Sequence, residues 1–355
     1  MSQYAHLSTP DPEILQALAA FSKIEPPKDI AGVRAQMEAL AARNNELFKH
    51  ELPDAFLYRV EDHVVPVDGG EVRVKCAIPT AKGGEDSTYP LLVYFHSGGW
   101  STGTLAQDDH LLRKICVSNQ ITTVNVEYRL APENPYPIPL DDGYAALKWA
   151  AENAAILNAS LSKGFIIGGQ SAGGEMTGML AHRARDDPFF RDRPLTGQIL
   201  EVPAIIHPLG YPEQYKDELL SFEQNKDSPF LSKEQAFTFL SVYGASPTDP
   251  EAWPLLQKNH EGLPPAVLHI CGMDPLRDEG ILYNKVLKEA GVKTKFYMRV
   301  NCPLPFLARS KAALYNRYPG APHVFQLVLP QLEISKRYLD NFKTGLQWLL
   351  DNAPA

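Results

Sequence analysis

Sulfur is scarce in this chain and never grouped. Its four cysteines, Cys76, Cys116, Cys271 and Cys302, lie far apart, with no CxxC pair and no Cys/His set at metal-ligand spacing. That excludes a disulfide framework and leaves no metal site to expect. No apolar run approaches the ~20 residues that span a bilayer, so no membrane partner is expected. The start, MSQYAHLSTPDPE, has neither a basic segment nor an apolar core of the secretory kind, which makes a cytoplasmic protein with reduced thiols the expectation. Lys/Arg blocks are absent too. With 34 Lys+Arg against 42 Asp+Glu and a formal charge of −8, the chain has no clustered cations with which to neutralise phosphates, and a nucleic-acid partner is excluded. Internal repeats and low-complexity tracts are missing. What is present is ordinary globular composition, 44% hydrophobic and 21% charged, enough for a sizeable core in 355 residues.

The first fifty residues read as helix: Thr9-Pro10 with Asp11 and Glu13 makes a start signal, and Ile30, Val33, Met37, Leu40 and Ala41 keep helical spacing. From about residue 56 the pattern changes to short runs rich in β-branched residues, at 72–79, 90–96, 121–128, 164–170, 264–273 and 294–300. Several are apolar without alternation, as strands covered on both faces of a largely parallel sheet must be. Helical stretches at 105–118, 141–155, 174–186, 279–290 and 333–351 separate them. This alternation predicts an α/β fold with a mostly parallel central sheet and helices on both faces. The polar, helical segment 208–250 breaks the rhythm. Four pieces are expected: an N-terminal helical cap segment (1–55), a first core part (56–207), an internal cap segment (208–250) and a second core part (251–355).

Gly169-Gln170-Ser171-Ala172-Gly173 is a G-x-S-x-G motif between a buried-strand signature, FIIGG, and a helix signature, EMTGMLAHRAR. A strand–turn–helix junction with glycines on both flanks is what a nucleophile elbow needs, since the sharp turn presents the serine hydroxyl above the helix N-terminus. A nucleophilic serine requires a base, and the base an orienting acid. Five histidines follow Ser171: His182 within the next helix, His207, His260, His269 inside a strand, and His323 in the Gly/Pro-rich loop YPGAPHVF. The loop position suits a mobile imidazole, which selects His323. Asp274, just past the strand run 264–273, is the best placed acid. Its competitor Asp278 reads as a helix-start charge. For the oxyanion, Ala172 supplies the amide after the nucleophile, and the adjacent glycines of His96-Ser97-Gly98-Gly99-Trp100 allow two further amides to converge.

With these residues in view, the chain resembles the hormone-sensitive-lipase family of α/β-hydrolases, especially its microbial and fungal carboxylesterases. The resemblance covers about 90–350 and rests on five motifs in order. HSGGW is similar to HGGGW, YRLAPENPYP followed by Asp142 to YRLAPE…P, and GGQSAGG to GDSAGG. DPLRDEG is similar to the acid motif, and PGAPHVF to PGxPHGF. It implies an α/β-hydrolase fold with a helical cap, Ser171, Asp274 and His323 as triad, Gly98, Gly99 and Ala172 as oxyanion donors, and neither metal nor organic cofactor. The expected activity is serine carboxylesterase on a small-molecule ester, by a monomer or homodimer. A non-catalytic ligand receptor, or a lyase or cyclase, are the other functions this fold can carry.

The sequence departs from the family pattern in places. Ser97 replaces the first glycine of HGGG, Gln170 the Asp before the nucleophile, and Val324 the glycine after the histidine. Glu175 stands where Asn is frequent. Glu127, Arg129 and Glu133 read as fold-supporting ion pairs. The segment 300–317 extends the spacing between Asp274 and His323. Its apolar residues, among them Leu304, Phe306 and Leu307, predict packing on the cap or pocket rim. The other reading is extra sequence such as a retained intron.

Overall fold

The unalternating apolar runs form strands buried on both faces, because helices cover the sheet above and below. In the computed structural model, which describes residues 3–21, 27, 29–81, 87–297 and 318–353, eight strands make one sheet. They are β1 (Tyr58–Val67), β2 (Gly70–Pro79), β3 (Leu91–Phe95), β4 (Thr122–Glu127), β5 (Phe165–Gln170), β6 (Gly197–Glu201), β7 (Ala266–His269) and β8 (Thr294–Tyr297). Their order is β1-β2-β4-β3-β5-β6-β7-β8. β1 pairs antiparallel with β2, and β2 with β4. From β4 to β8 every pairing is parallel. The sheet is the one expected, with two strands added. β1 is hidden by its alternating, half-exposed pattern, and β6 by its sequence GQILE, in which only two residues are apolar.

The two faces of each central strand feed separate cores. Val93, Phe95, Ile167 and Leu200 pack on one side of the sheet; Leu92, Tyr94, Ile166 and Ile199 pack on the other. Each such side chain contributes ~1.5–3 kcal/mol by leaving water. The first face carries α4 (Ile138–Glu152), α5 (Ala172–Asp186) and α8 (Arg277–Glu289). The second carries α3 (Asp109–Ser118) and the C-terminal helix Glu333–Asp351.

The N-terminal helices expected from the sequence are α1 (Pro12–Phe21) and α2 (Ile30–Phe48), the latter capped by Asp29, whose carboxylate accepts from Gly32 N. The segment 208–250 holds α6 (Ser221–Gln224) and α7 (Lys233–Tyr243). A capping box starts α7, with Ser232 Oγ accepting from Gln235 N, and left-handed Gly244 ends it. The segment 300–317 lies outside the described residues. Among those residues no helix is long and apolar enough to cross a membrane.

Candidate active site

β5 ends in a turn that only this local sequence tolerates. Ser171 sits at φ 57° and ψ −112°, a left-handed conformation costly for any residue but glycine. The turn is held by Ser171 N donating to Glu201 O at 2.8 Å and by Glu175 N donating to Ser171 O at 3.0 Å. Its flanking glycines are sterically required. A Cβ on Gly173 would lie 2.0 Å from Phe95 O, and one on Gly169 2.3 Å from Gly173 O. The elbow thus presses directly onto the end of β3, and the hydroxyl stands at the N-terminus of α5.

The structure brings the three predicted side chains together. Ser171 Oγ lies 2.8 Å from His323 Nε2, and His323 Nδ1 lies 2.7 Å from Asp274 Oδ2. A carboxylate accepts only, so Nδ1 carries the ring hydrogen and Nε2 is left to accept from the serine hydroxyl. All three are buried, yet Ser171 and His323 face a cavity. The other oxygen of Asp274 accepts from Leu276 N at 2.9 Å.

The other histidines are engaged elsewhere. His269 is packed in β7 between Tyr297 and Tyr318. The rings of His182 and His260 pair at 3.2 Å. His207 accepts from Leu209 N to cap a short turn. Asp278 is structural, though not by capping its own helix. Its carboxylate is paired with buried Arg277 at 2.8 Å and accepts from the amides of Leu220 and Ser221 at the start of α6.

The loop after β3 approaches the elbow from the opposite side. Gly98 (φ 130°) and Gly99 (φ 57°) take conformations open to glycine. Among the described residues no hydrogen bond uses the amides of Gly98, Gly99 or Ala172, which leaves three donors on two segments beside the serine. Ser97 keeps its hydroxyl occupied as acceptor of Gln107 Nε2 at 2.7 Å. Glu127, Arg129 and Glu133 do form ion pairs, with Arg73, Asp142 and Arg34 respectively. Arg34 carries no signal in the sequence. Its guanidinium reaches from α2 to the carboxylate of Glu133 and the carbonyls of Ser101 and Ala131, which fastens α2 to the loop.

The cavity over Ser171 measures about 670 Å³. Its floor is Ser171, His323, Gly98 and Gly99. Its roof comes from α2, through Ile30, Val33 and Met37, and from α7, through Gln235, Thr238 and Phe239. Val324 also lines it, at φ 47°, where the family pattern has glycine. A β-branched residue there is strained by ~1–3 kcal/mol. Helical periodicity marks the α2 residues and their segment as cap, but not which of them line the site. Nothing in the sequence marked Phe239 as a wall of the site.

The segment from α6 to α7 does more than cover the site. Ser221 Oγ donates to Pro275 O at 2.7 Å, Asn225 Nδ2 to Asp274 O at 2.8 Å, and Ser228 Oγ to Met273 O at 2.5 Å. Three side chains of this segment therefore hold the backbone that presents the acid. Among the described residues no group of three or more His, Cys, Asp and Glu side chains is arranged to hold a metal ion. Cys76, Cys116 and Cys271 are free and buried, and Cys302 lies outside those residues.

A mostly parallel sheet, a strained serine between β5 and α5, and an acid and a histidine on the loops beyond β7 and β8 define the α/β-hydrolase fold class. A family model described as alpha/beta hydrolase fold matches residues 92–308. A versiconal hemiacetal acetate esterase from Dothistroma septosporum is 34% identical over 90% of this chain and 89% of its own length. Carboxylesterase NlhH of Mycobacterium tuberculosis is 37% identical over 67% of this chain and 72% of its own. Among solved structures, vibralactone cyclase superposes at a TM-score of 0.91 with 39% identity, covering 99% of this chain and 97% of that one. An esterase from Pyrobaculum calidifontis superposes at 0.77 with 28% identity, covering 96% and 99%. The chain belongs to the hormone-sensitive-lipase-like esterases of the alpha/beta-hydrolase family, a family of hydrolases.

Proposed function

We propose that this protein is a serine carboxylesterase for small to medium esters, with Ser171, His323 and Asp274 as its triad. Ser171 Oγ attacks the ester carbonyl while His323 Nε2 takes its proton. Asp274 holds the imidazole through Nδ1–H and stabilises the cation that forms. The amides of Gly98, Gly99 and Ala172 receive the oxyanion. As the tetrahedral adduct collapses, the C–O bond to the alcohol breaks and His323 returns its proton to the leaving alcohol. Water then adds to the acyl-enzyme, giving its proton to His323. The acid departs and Ser171 regains its hydrogen.

The observation that carries this reading is the Ser171–His323–Asp274 chain of 2.8 and 2.7 Å contacts opening into the cavity. The relatives named as esterases support it. A fluorophosphonate probe tests it: the expected result is one adduct on Ser171, absent in Ser171→Ala, with kcat in that variant down about 10⁴-fold or more. An unlabelled native protein overturns it. The cavity favours acyl chains of short to medium length, and a p-nitrophenyl ester series whose maximum falls at long, insoluble chains would contradict that choice.

A cyclase is the second reading, favoured by the similarity to vibralactone cyclase over nearly the full chain. In that case a hydroxyl of the substrate itself takes the place of water in attacking the acyl group. Incubation with a hydroxy-ester distinguishes the two, because the cyclic product is lighter than the free hydroxy-acid by one water.

A further inference from the structure

The three amides assigned to the oxyanion lie on two separate pieces of backbone, Gly98 and Gly99 on the loop after β3 and Ala172 on the elbow. Such donors act only if they stay aimed at one point, and displacements of about half an ångström are costly. A side-chain hydrogen bond joins the two pieces. Trp100 Nε1, next to Gly99, donates to Glu175 Oε2 at 2.8 Å. Both residues are buried, Trp100 at 2% and Glu175 at 0% exposure. Trp100 is pinned from its other face by Tyr243 of α7, stacked at 4.2 Å and 8°, and edge-on by Trp253 at 6.0 Å. Glu175 is pinned by its own amide, which donates to Ser171 O. Its second oxygen, Oε1, has no hydrogen-bond partner among the described residues, so the one hydrogen bond its carboxyl makes to them is that from the Trp100 indole.

Resting on the serine-esterase reading, we infer that Glu175 is a positioning residue that, through Trp100, holds the Gly98–Gly99 amides in register with the Ala172 amide. The charge state follows from the surroundings. Burial pushes the Glu175 carboxyl up to about 8, outweighing the Trp100 hydrogen bond and the pull of Arg183 further along α5. Arg183 is itself paired with Asp141. The groups facing Glu175 from other elements are the phenols of Tyr128, Tyr136 and Tyr243, each held above its ordinary range and so neutral. Glu175 is therefore an uncharged acid at pH 7. Above about 8 it ionises, and its negative charge then opposes the negative charge that develops on the oxyanion a turn away.

The test compares Glu175→Gln, Glu175→Leu, Trp100→Phe and the double variant Trp100→Phe/Glu175→Leu on p-nitrophenyl acetate, with kcat and KM read across pH. Breaking the bond from either end should lower kcat about tenfold with KM within about twofold, and the double variant should lose no more than either single one, since one contact is removed. Glu175→Gln keeps an acceptor for Trp100, so kcat at pH 7 stays within about twofold. The native protein's kcat falls above about pH 8 and that of the Gln variant does not. Folded Trp100→Phe with unchanged kcat, multiplicative losses in the double variant, or an alkaline fall retained by Glu175→Gln would each overturn the inference. Should Glu175→Leu fail to fold, Trp100→Phe and Glu175→Gln decide alone. Absence of fluorophosphonate labelling in the native protein removes the esterase reading and this inference with it. Labelling with unaltered kinetics in the variants removes this inference only.

Discussion

Floor and roof of the cavity over Ser171 are built by different rules. The floor comes from strand ends packed so closely that single atoms decide its shape, as where Gly173 touches Phe95 O. The roof comes from two helices far apart in sequence, α2 and α7, which contribute half-buried side chains of mixed character. Backbone geometry therefore shapes the floor, and side chains shape the roof. Substitutions on the floor should abolish function or fold, while those on the roof should redirect it.

Two acids four residues apart give the sharpest test. Asp274→Asn should lower kcat about 10³–10⁴-fold with an unchanged melting temperature, since the imidazole loses its orienting charge. Asp278→Asn should keep kcat within a few-fold and cost about 3 kcal/mol of stability, because the variant breaks a buried ion pair with Arg277 and weakens the acceptor for the amides of Leu220 and Ser221. The reverse pattern in denaturation and kinetics would reassign the acid. Next is Gly173→Ala, whose methyl group has no room against Phe95 O. We expect a loss of about 3 kcal/mol or more in urea unfolding. On the roof, Met37→Ala should raise kcat/KM for branched-acyl esters about fivefold relative to acetyl esters and leave the acetyl rate nearly unchanged.

The smallest effect concerns pH. Glu201, buried at the end of β6 and accepting from Tyr94 Oη at 2.8 Å, is pushed up to about 8 by burial. In the unfolded chain it ionises near 4.5. Its contribution is therefore full below about pH 4.5 and is lost as pH rises towards 8. Glu201→Gln does not titrate, so its melting temperature relative to the native protein should climb by about 5 °C between about pH 5 and 8. A constant difference would refute the assignment.

The same contrast explains what was legible in the sequence. Buried strands advertise themselves as apolar runs, and β3, β5 and β7 lie within the runs 90–96, 164–170 and 264–273. Motif residues were legible because strained turns and converging amides require glycine, which left Gly98, Gly99, Gly169 and Gly173 as visible marks. His323 is legible from its loop context together with its place in the chain after Ser171 and Asp274. By contrast, β1 is an edge strand with alternate residues in solvent, and its sequence resembles any exposed segment. Glu175 was noticeable as a departure, yet its partner Trp100 is 75 residues away and only the fold joins them. Phe239 and Arg34 carry no local signal, because a phenylalanine or an arginine on a helix has many ordinary uses.

The three side chains that Ser221, Asn225 and Ser228 extend to the backbone at 273–275 bear on how such enzymes are recombined. The segment that carries them also supplies α7 and half of the roof, so a graft meant to import a relative's selectivity would also exchange the supports of the acid loop. Chimaeras cut at 208 and 250 inherit a mismatch beneath the acid, whereas a graft confined to Lys233–Tyr243 leaves those supports in place. Divergence of selectivity in this chain is accordingly cheapest by point substitution within α7 and α2, and costliest by wholesale replacement of the insertion.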